Sequence, residues 1–358
     1  MSHLVHVATA LPPHVYPQAE ITATIAPLLL GPDSERRAVL DRLHAASGVT
    51  TRHLALPLDA YPGLTSFTTA NDHFISLATD LAEEACRSAL DRAGLSGADV
   101  DHLLFTSVTG VSAPSVDALL VPRLGLRPDV RRMPSFGLGC VAGAAGLARV
   151  HDYLEGHREH VARLVAAELC SLTVQHGDDS MANMVSSGLF GDGAAAAGLV
   201  GDDHPLAGRA PLAVVDSRSV LYPETSDQLG WRVGGTGFRI VLSAGLAAVI
   251  STHLAEDVGS FLEAHDLKAR DVDTWVVHAG GPRILEAVHE ALDLDAADLR
   301  HSRESLAGVG NLSSASVLDV LARTLADRPP GGGTVVLLAF GPGVSAEMVL
   351  LRWAGTPA

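Results

Sequence analysis

The chain repeats itself, and this internal duplication constrains its fold more than any other feature. Leu81-Ala82-Glu83-Glu84 opens an apolar-periodic stretch that leads to Asp99-Val100-Asp101 and the strand-like residues 102–106. Leu254-Ala255-Glu256-Asp257 opens a similar stretch that leads to Asp271-Val272-Asp273 and the strand-like residues 274–277, roughly 172 residues later. The two stretches therefore predict one helix-to-strand unit used twice.

Two further pairs of segments continue the repeat in the same order. Gly137-Leu138-Gly139-Cys140 precedes a helix of small residues, and so does Gly308-Val309-Gly310-Asn311. Phe190-Gly191-Asp192-Gly193 and Phe340-Gly341-Pro342-Gly343 then close the halves, each before an apolar strand. The pattern indicates an α/β layered protein. It predicts two halves, residues 1–208 and 211–358, packed about a pseudo-two-fold axis with Cys140 and Asn311 at the starts of equivalent helices facing one cavity.

Composition limits the class of protein. The 358 residues are 47% hydrophobic and 18% charged, which fits a soluble globular chain with two core-bearing units. A net charge of −16 argues against nucleic-acid and anionic-membrane partners. No apolar run is long enough to span a bilayer and the N-terminus lacks a signal pattern, so we expect a cytoplasmic protein. Residues 12–71 and 171–188 have no counterpart in the other half and are expected to be loops that meet substrate.

Three cysteines are too few and too widely spaced for a disulfide framework or a zinc cluster, so no metal is expected. Cys140 is the best candidate nucleophile, because the N-terminus of a helix lowers the pKa of a thiol. The alternative, a small buried hydrophobic residue, fits Cys86 and Cys170 better, since one lies inside an amphipathic helix and the other at a strand end.

His278 and Asn311 are the candidate partners of Cys140. His278 ends the apolar strand 274–277 and precedes Gly280-Gly281, a position from which a side chain reaches a crevice. Asn311 could instead only cap its helix. Together, a thiolate and two neutral donors suit acyl transfer to cysteine, followed by decarboxylation of a malonyl thioester whose enolate oxygen the donors stabilise.

Several motifs resemble those of type III polyketide synthases, the chalcone-synthase-like enzymes of the thiolase superfamily. They are residues 136–143 around Cys140, His278-Ala279-Gly280-Gly281-Pro282, residues 310–315 around Asn311, and Phe340-Gly341-Pro342-Gly343. The resemblance covers nearly the whole chain. It implies a thiolase-like duplicated five-layered αβαβα fold, a homodimer, and Cys140, His278 and Asn311 as the catalytic triad. It also implies acyl-CoA and malonyl-CoA as substrates and no further cofactor.

The resemblance also implies residues that contact substrate. Phe190 and Phe238 match gatekeeper phenylalanines, and Arg52 lies in the segment that supplies cations to the CoA phosphates. Ala113 lies in a loop, residues 110–114, that matches one reaching the partner's cavity. Thr109, Thr173 and Ser313 match cavity-lining positions.

The product expected from the resemblance is an alkyl-chain polyketide. Leu11-Pro12-Pro13-His14, residues 127–134 and residues 168–173 are similar to segments of actinobacterial alkylpyrone synthases. We therefore expect an aliphatic acyl-CoA starter of medium or long chain, extended to a cyclised tri- or tetraketide such as an alkyl α-pyrone or an alkylresorcinol.

Three alternatives have to be weighed against this expectation. A ketoacyl-carrier-protein synthase III would use the same three residues but take malonyl groups from a carrier protein, and the Gly-Gly-Pro after His278 argues against it. A degradative thiolase would need a catalytic thiol in the second half, which has no cysteine. A non-catalytic acyl-CoA-binding relative would usually have lost one of the three residues.

Overall fold

A computed structural model of the chain describes residues 1–31, 34–328 and 333–355. Its strands are β1 (Ser2–Ala10), β2 (His14–Pro17), β3 (Thr51–Leu54), β4 (His102–Ser107), β5 (Arg131–Phe136), β6 (Val161–Leu169), β7 (Asp192–Gly201), β8 (Leu212–Leu221), β9 (Leu229–Gly234), β10 (Gly237–Leu242), β11 (Thr274–Val277), β12 (Gly333–Gly341) and β13 (Ser345–Trp353). Its helices are α1 (Gln18–Leu30), α2 (Arg37–Ala45), α3 (Phe67–Ala93), α4 (Val116–Leu124), α5 (Ala142–Glu155), α6 (Met181–Leu189), α7 (Leu246–Glu263), α8 (Pro282–Leu292), α9 (Arg300–Val309) and α10 (Ser316–Ala326).

The strand order displays the duplication directly. The main sheet runs β11-β12-β13-β8-β1-β7-β6-β4-β5. From β1 outward the order is β7, β6, β4, and from β8 outward it is β13, β12, β11. In both directions the first two pairs are antiparallel and the third is parallel. The halves are joined by a short antiparallel pairing of Ser2–Leu4 with residues 212–214. The pseudo-two-fold relation therefore passes between β1 and β8.

Helices α5 and α10 form the central layer between the two halves of the main sheet. Helix α5 packs against strands of both halves and against α10, which does the same. A Cβ atom at Gly143 would lie 2.4 Å from the carbonyl oxygen of Ser314, so the two helices approach too closely for a larger residue. The strands beside them, such as β6 and β7, are buried along their whole length because helices cover both faces.

The outer layers complete the five-layered αβαβα arrangement. Helix α3 packs over β1, β6 and β7 in the first half. In the second half α7 and α8 pack on each other, and their buried faces join the hydrophobic core that contains β8 and β11 to β13. The fold class expected from the sequence is confirmed. Among the described residues, no helix combines the length and apolar character needed to cross a membrane.

Both stretches expected to be loops contain regular structure, so that expectation was wrong. Residues 12–71 form β2, α1, α2, β3 and the first turn of α3, and α1 buries Ile21, Ile25 and Leu29 at helical spacing. Residues 171–188 include most of α6, whose first turn is capped by Ser180 through the backbone amide of Asn183. The duplication could not reveal these elements, because they have no counterpart in the other half.

Candidate active site

Cys140 lies in a tight turn that only glycine permits. Gly137 and Gly139 have φ values of 97° and 56°, and Cys140 follows in a short 3-10 helix, Gly139–Val141, that leads into α5. A Cβ atom at Gly139 would lie 2.6 Å from the ring of Pro342. The turn before Cys140 therefore packs directly on the Gly-Pro-Gly turn between β12 and β13.

The Cys140 thiol is buried beside Ser313. Its Sγ donates to Ser313 Oγ at 3.5 Å, and the residue is 9% exposed. Burial raises the pKa of the Cys140 thiol to about 12, while the Ser313 contact acts in the opposite direction and the charge of Glu168 adds to the increase. The pKa lowering expected from the helix start was wrong, because desolvation of the sulfur outweighs the helix terminus.

His278 lies at the carboxyl end of β11, two residues before Gly280. Its backbone amide donates to the carbonyl of Leu338, which fixes the residue against β12. The side chain is 2% exposed, and its Nδ1 has no hydrogen-bond partner among the described residues. Burial lowers the pKa of His278 to about 4, so the ring is neutral near pH 7 and one ring nitrogen carries a proton to donate.

Asn311 is held on both its backbone and its side chain. Its amide donates to the carbonyl of Leu189 and its carbonyl accepts from the amide of Gly191. Its Oδ1 accepts from the amide of Ser313 at 2.8 Å, and its Nδ2 donates to the carbonyl of Gly280 at 3.3 Å. These contacts connect the Asn311 turn to Cys140 through Ser313 and to the His278 loop through Gly280, which leaves one Nδ2 proton for a substrate oxygen.

Glu168 is a site residue that the motif comparison did not single out. Its carboxylate is fully buried at the end of β6 and accepts from Ser107 Oγ, the Val108 amide, Thr109 Oγ1 and Ser314 Oγ. Burial raises its pKa, and the four donors oppose that shift. The signal in the sequence is an acidic residue inside an otherwise apolar strand, since such a charge is kept only where it is hydrogen-bonded.

The remaining predicted contact residues lie in different environments. Ser313 touches Cys140, whereas the Thr109 hydroxyl is bound to Glu168. Phe190 and Thr173 line an internal cavity of about 40 Å³. Phe238 is buried in an aromatic cluster, with ring centroids 5.5 Å from Phe67 and 6.2 Å from both Phe136 and Trp231. Ala113 is exposed at the tip of the 110–114 loop.

The expected role of Arg52 in binding CoA phosphates is wrong. Arg52 is 3% exposed, its Nε donates to Gln18 Oε1 and its Nη1 donates to the carbonyl of Phe190. The alternation along β3 directs Arg52 and Leu54 into the interior. A phosphate group in solvent has no access to this guanidinium.

A surface groove of about 440 Å³ leads to the His278 loop. Its lining residues are Leu43, Ala46, Ser47, Met181, Ala182, Val185, Leu189, Leu242, Ser243, Ala244, Leu246, Ala247 and Gly280 to Ile284. Arg283 lies in this lining, and Arg42 precedes Leu43 on α2. Both arginines are exposed, and no carboxylate of the described residues lies within salt-bridge distance of either.

Family models and curated relatives match this chain over nearly its whole length. The family model for the N-terminal domain of chalcone and stilbene synthases matches residues 1–204, and that for the C-terminal domain matches residues 213–354. A 1,3,6,8-tetrahydroxynaphthalene synthase of Streptomyces peucetius subsp. caesius is 53% identical over 348 residues, which are 97% of this chain and 92% of the relative.

More distant relatives include proteins with a different named product. An alpha-pyrone synthesis polyketide synthase-like protein of Mycobacterium tuberculosis is 32% identical, covering 96% of this chain and 89% of the relative. The crystal structure of 1,3,6,8-tetrahydroxynaphthalene synthase from Streptomyces coelicolor A3(2) superimposes with a TM-score of 0.92 at 32% identity, covering 99% of this chain and all of that one. This chain therefore belongs to the chalcone and stilbene synthase family, the type III polyketide synthases.

Proposed function

We propose that this type III polyketide synthase uses malonyl-CoA as both starter and extender and releases 1,3,6,8-tetrahydroxynaphthalene. The observation that carries the proposal is the 53% identity over 97% of the chain to a synthase of that product. The carbon count of the product fits malonyl units alone. A malonyl starter extended four times, with loss of the starter's own carboxyl group, gives the ten ring carbons. One Claisen and one aldol closure, the latter releasing water, leave four oxygens.

Loading begins with Cys140 as a thiol and His278 as a neutral base, which follows from their pKa values. As the sulfur attacks the malonyl-CoA thioester, its proton moves to the His278 ring, and the departing CoA sulfur takes that proton. The result is malonyl-Cys140, free CoA and a neutral His278. Both side chains thus return to the protonation state that the next step requires.

Extension uses His278 and Asn311 as donors to the thioester oxygen of a second malonyl-CoA. When its carboxyl group leaves as CO2, the electron pair of the broken bond forms an enolate, and the two N–H groups stabilise the charge on oxygen. The enolate carbon attacks the Cys140 thioester and displaces the sulfur as a thiolate, which takes up one proton and becomes a thiol again. The lengthened chain is then on CoA and can be reloaded. The reaction consumes only CoA thioesters, so we propose that no further cofactor takes part.

An alkyl α-pyrone from a long acyl starter is the second candidate, supported by the similarity to the mycobacterial protein. The higher identity, 53% against 32%, favours the naphthalene product.

The test is product analysis with labelled malonyl-CoA, alone and with a panel of acyl-CoA starters from acetyl to palmitoyl. We expect tetrahydroxynaphthalene from malonyl-CoA alone, and no product from the Cys140→Ala variant. Turnover only when a long acyl-CoA is present would favour the α-pyrone or resorcinol product. Turnover only with malonyl-carrier protein would identify a synthase of the ketoacyl-carrier-protein type, and binding of acyl-CoA without any turnover would identify a non-catalytic relative.

A further inference from the structure

The internal cavity behind Phe190 has a charged group in its wall. Apolar residues of α1, such as Ile21 and Ile25, line one part, and Arg52, Tyr61 and Cys170 line another. The cavity lies beside one of the candidate catalytic residues, because Phe190 in its wall forms a backbone bridge with Asn311.

Arg52 carries an unused donor at this cavity. Two guanidinium nitrogens are bound, Nε to Gln18 and Nη1 to the carbonyl of Phe190, but Nη2 has no partner among the described residues although it is buried. No carboxylate in the described part of the chain lies within 4 Å of the guanidinium. The charge of Asp192 acts on Arg52 from farther away, and the Asp192 oxygens accept instead from the Ala55 amide and from the amide and hydroxyl of Ser171.

A buried guanidinium without a contacting anion is costly, and a ligand carboxylate in the cavity would offset that cost for Arg52. The cavity volume of about 40 Å³ has room for about three water-sized groups, as many as the heavy atoms of one carboxylate group. Arg52 cannot serve the CoA phosphates, which remain at the surface. The ligand that fits is thus a small carboxylate delivered from the Cys140 side.

We propose that Arg52 binds the free carboxylate of the malonyl starter while that starter is attached to Cys140. This inference rests on the proposed use of malonyl-CoA as starter. The enzyme must let the extender lose CO2 but let the starter keep its carboxylate. In decarboxylation the electron pair of the C–C bond moves to the enolate and neutral CO2 departs, so the negative charge leaves the carboxyl group. An ion pair with Arg52 stabilises the charged carboxylate more than the transition state, in which the charge is leaving the carboxyl group. The ion pair therefore slows decarboxylation of the starter.

The experiment measures which acyl group Cys140 carries. Enzyme in excess is mixed with malonyl-CoA, quenched with acid within one turnover, and analysed by intact-protein mass, since malonyl-Cys140 and acetyl-Cys140 differ by the mass of CO2. The Arg52→Gln variant should show a malonyl-to-acetyl ratio lowered roughly 10- to 100-fold, the usual worth of a hydrogen bond to a charged group. Loading from acetyl-CoA should be unchanged, and Arg52→Lys should restore part of the ratio.

Arg163 offers the matched control. It is likewise buried, at 2% exposure, and none of its guanidinium nitrogens has a partner in the described structure, but it lies on β6 and is not part of the cavity wall. Arg163→Gln should leave the malonyl-to-acetyl ratio unchanged. An unchanged ratio in Arg52→Gln, or an equal loss of loading from malonyl-CoA and acetyl-CoA, would show that Arg52 is only structural and would overturn the inference.

A second measurement needs no substitution. Malonamyl-CoA has the shape of malonyl-CoA but ends in a neutral carboxamide, so wild-type enzyme should load it about tenfold more slowly or worse. Equal loading rates would contradict the inference even if Arg52→Gln failed to fold. Failure of the proposed function would be distinguishable from failure of this inference. In that case wild-type enzyme would form an Arg52-dependent malonyl-Cys140 but release no tetrahydroxynaphthalene.

Discussion

At the scale of single residues, the site consists of two groups kept neutral by burial and one fixed amide. Cys140 and His278 are neutral near pH 7 because desolvation shifts their pKa values away from the charged forms, in opposite directions. Asn311 is held by Ser313 and Gly280 so that its amide keeps one free proton. This arrangement favours charge that develops on a substrate oxygen over charge on the protein.

Asn311→Asp tests the role of that proton. The variant keeps the shape of the side chain but replaces the N–H donor by an oxygen, so the enolate loses a hydrogen bond and meets a repulsive charge. We expect extension to slow by roughly 10²- to 10³-fold, the usual cost of losing one oxyanion donor. Loading of Cys140 should persist, which rapid-quench mass analysis would detect. Equal loss of loading and extension would argue for a structural role instead.

The two arginines at the surface groove, Arg283 and Arg42, allow a second test at the scale of single residues. Arg283 and Arg42 are exposed at the groove without a carboxylate partner among the described residues, and we predict that they bind the CoA phosphates. Arg283→Gln should raise KM for malonyl-CoA roughly tenfold with little effect on kcat. Arg270→Gln, at a position 78% exposed, is the control. An unchanged KM would remove Arg283 from the CoA site.

Sequence patterns located some site residues and missed others for physical reasons. Cys140 and Asn311 could be placed together because the duplication makes their helices equivalent. Arg52 could not be placed, since in a four-residue strand the direction of one side chain depends on a register that composition does not reveal. Glu168 was overlooked because its four donors come from two segments far from it in sequence, residues 107–109 and Ser314, which only the folded chain brings together.

At the scale of elements, the duplicated helices α5 and α10 set the geometry of the site. Their close approach at Gly143 involves the short 3-10 helix Ser313–Ala315 that precedes α10, in which Ser314 bonds Glu168 and Ser313 lies beside Cys140. The small-residue pattern of both helices predicted this central layer. The helices α1, α2 and α6 were not predicted, because they occur in one half only and the internal repeat contains no matching segment.

Gly143→Ala tests the central layer. The new Cβ would lie 2.4 Å from a backbone oxygen that cannot move without disturbing Glu168, so we expect a loss of roughly 1–3 kcal/mol in the free energy of unfolding. Gly259→Ala in α7 is the matched control, since its Cβ would meet nothing within 4 Å. That variant should gain about 0.5–1 kcal/mol through helix propensity. Urea denaturation measures both, and similar stability changes would contradict the close packing.

At the scale of the whole molecule, buried titratable groups couple stability to pH. Burial lowers the pKa values of His44, His102 and His278 to about 4, so each adds stability that is present above pH 6.5 and is lost as the pH falls through 4. Asp192 acts in the opposite sense, because its pKa is raised to about 6 and its contribution is lost as the pH rises from 3.8 through 6. Three histidines outweigh one aspartate.

We therefore expect the free energy of unfolding to fall between pH 6.5 and pH 4. Urea titrations at several pH values measure this slope. Replacing the partly buried His102 by Gln should make the slope shallower, since one of the three groups that take up a proton on unfolding is removed. A free energy of unfolding that rises on acidification would show that the carboxylates dominate.

The exposed edge of the sheet bears on the expected homodimer. Strand β5 pairs on one side with β4 and ends the sheet, and five of its six residues are exposed, including Met133 at 47% and Phe136 at 53%. An exposed edge strand presents unpaired backbone groups and is a template for pairing with another chain. Leu138 and Val111 extend this apolar surface at 39% and 42% exposure. We predict that β5 pairs with its copy in a second subunit, which would bring the Ala113 loop close to the partner.

Met133→Lys should convert the dimer to a monomer. The new lysine ammonium at the centre of the paired edge would be desolvated and would face the same charge on the partner subunit. Light scattering after size exclusion measures the state, and Leu221→Lys is the control, a 71% exposed position on β8 away from this edge. If the Ala113 loop completes the partner's cavity, the monomer should still load Cys140 but release products of altered chain length. A Met133→Lys protein that remains dimeric would place the interface elsewhere, and a monomer with an unchanged product would show that each subunit shapes its cavity alone.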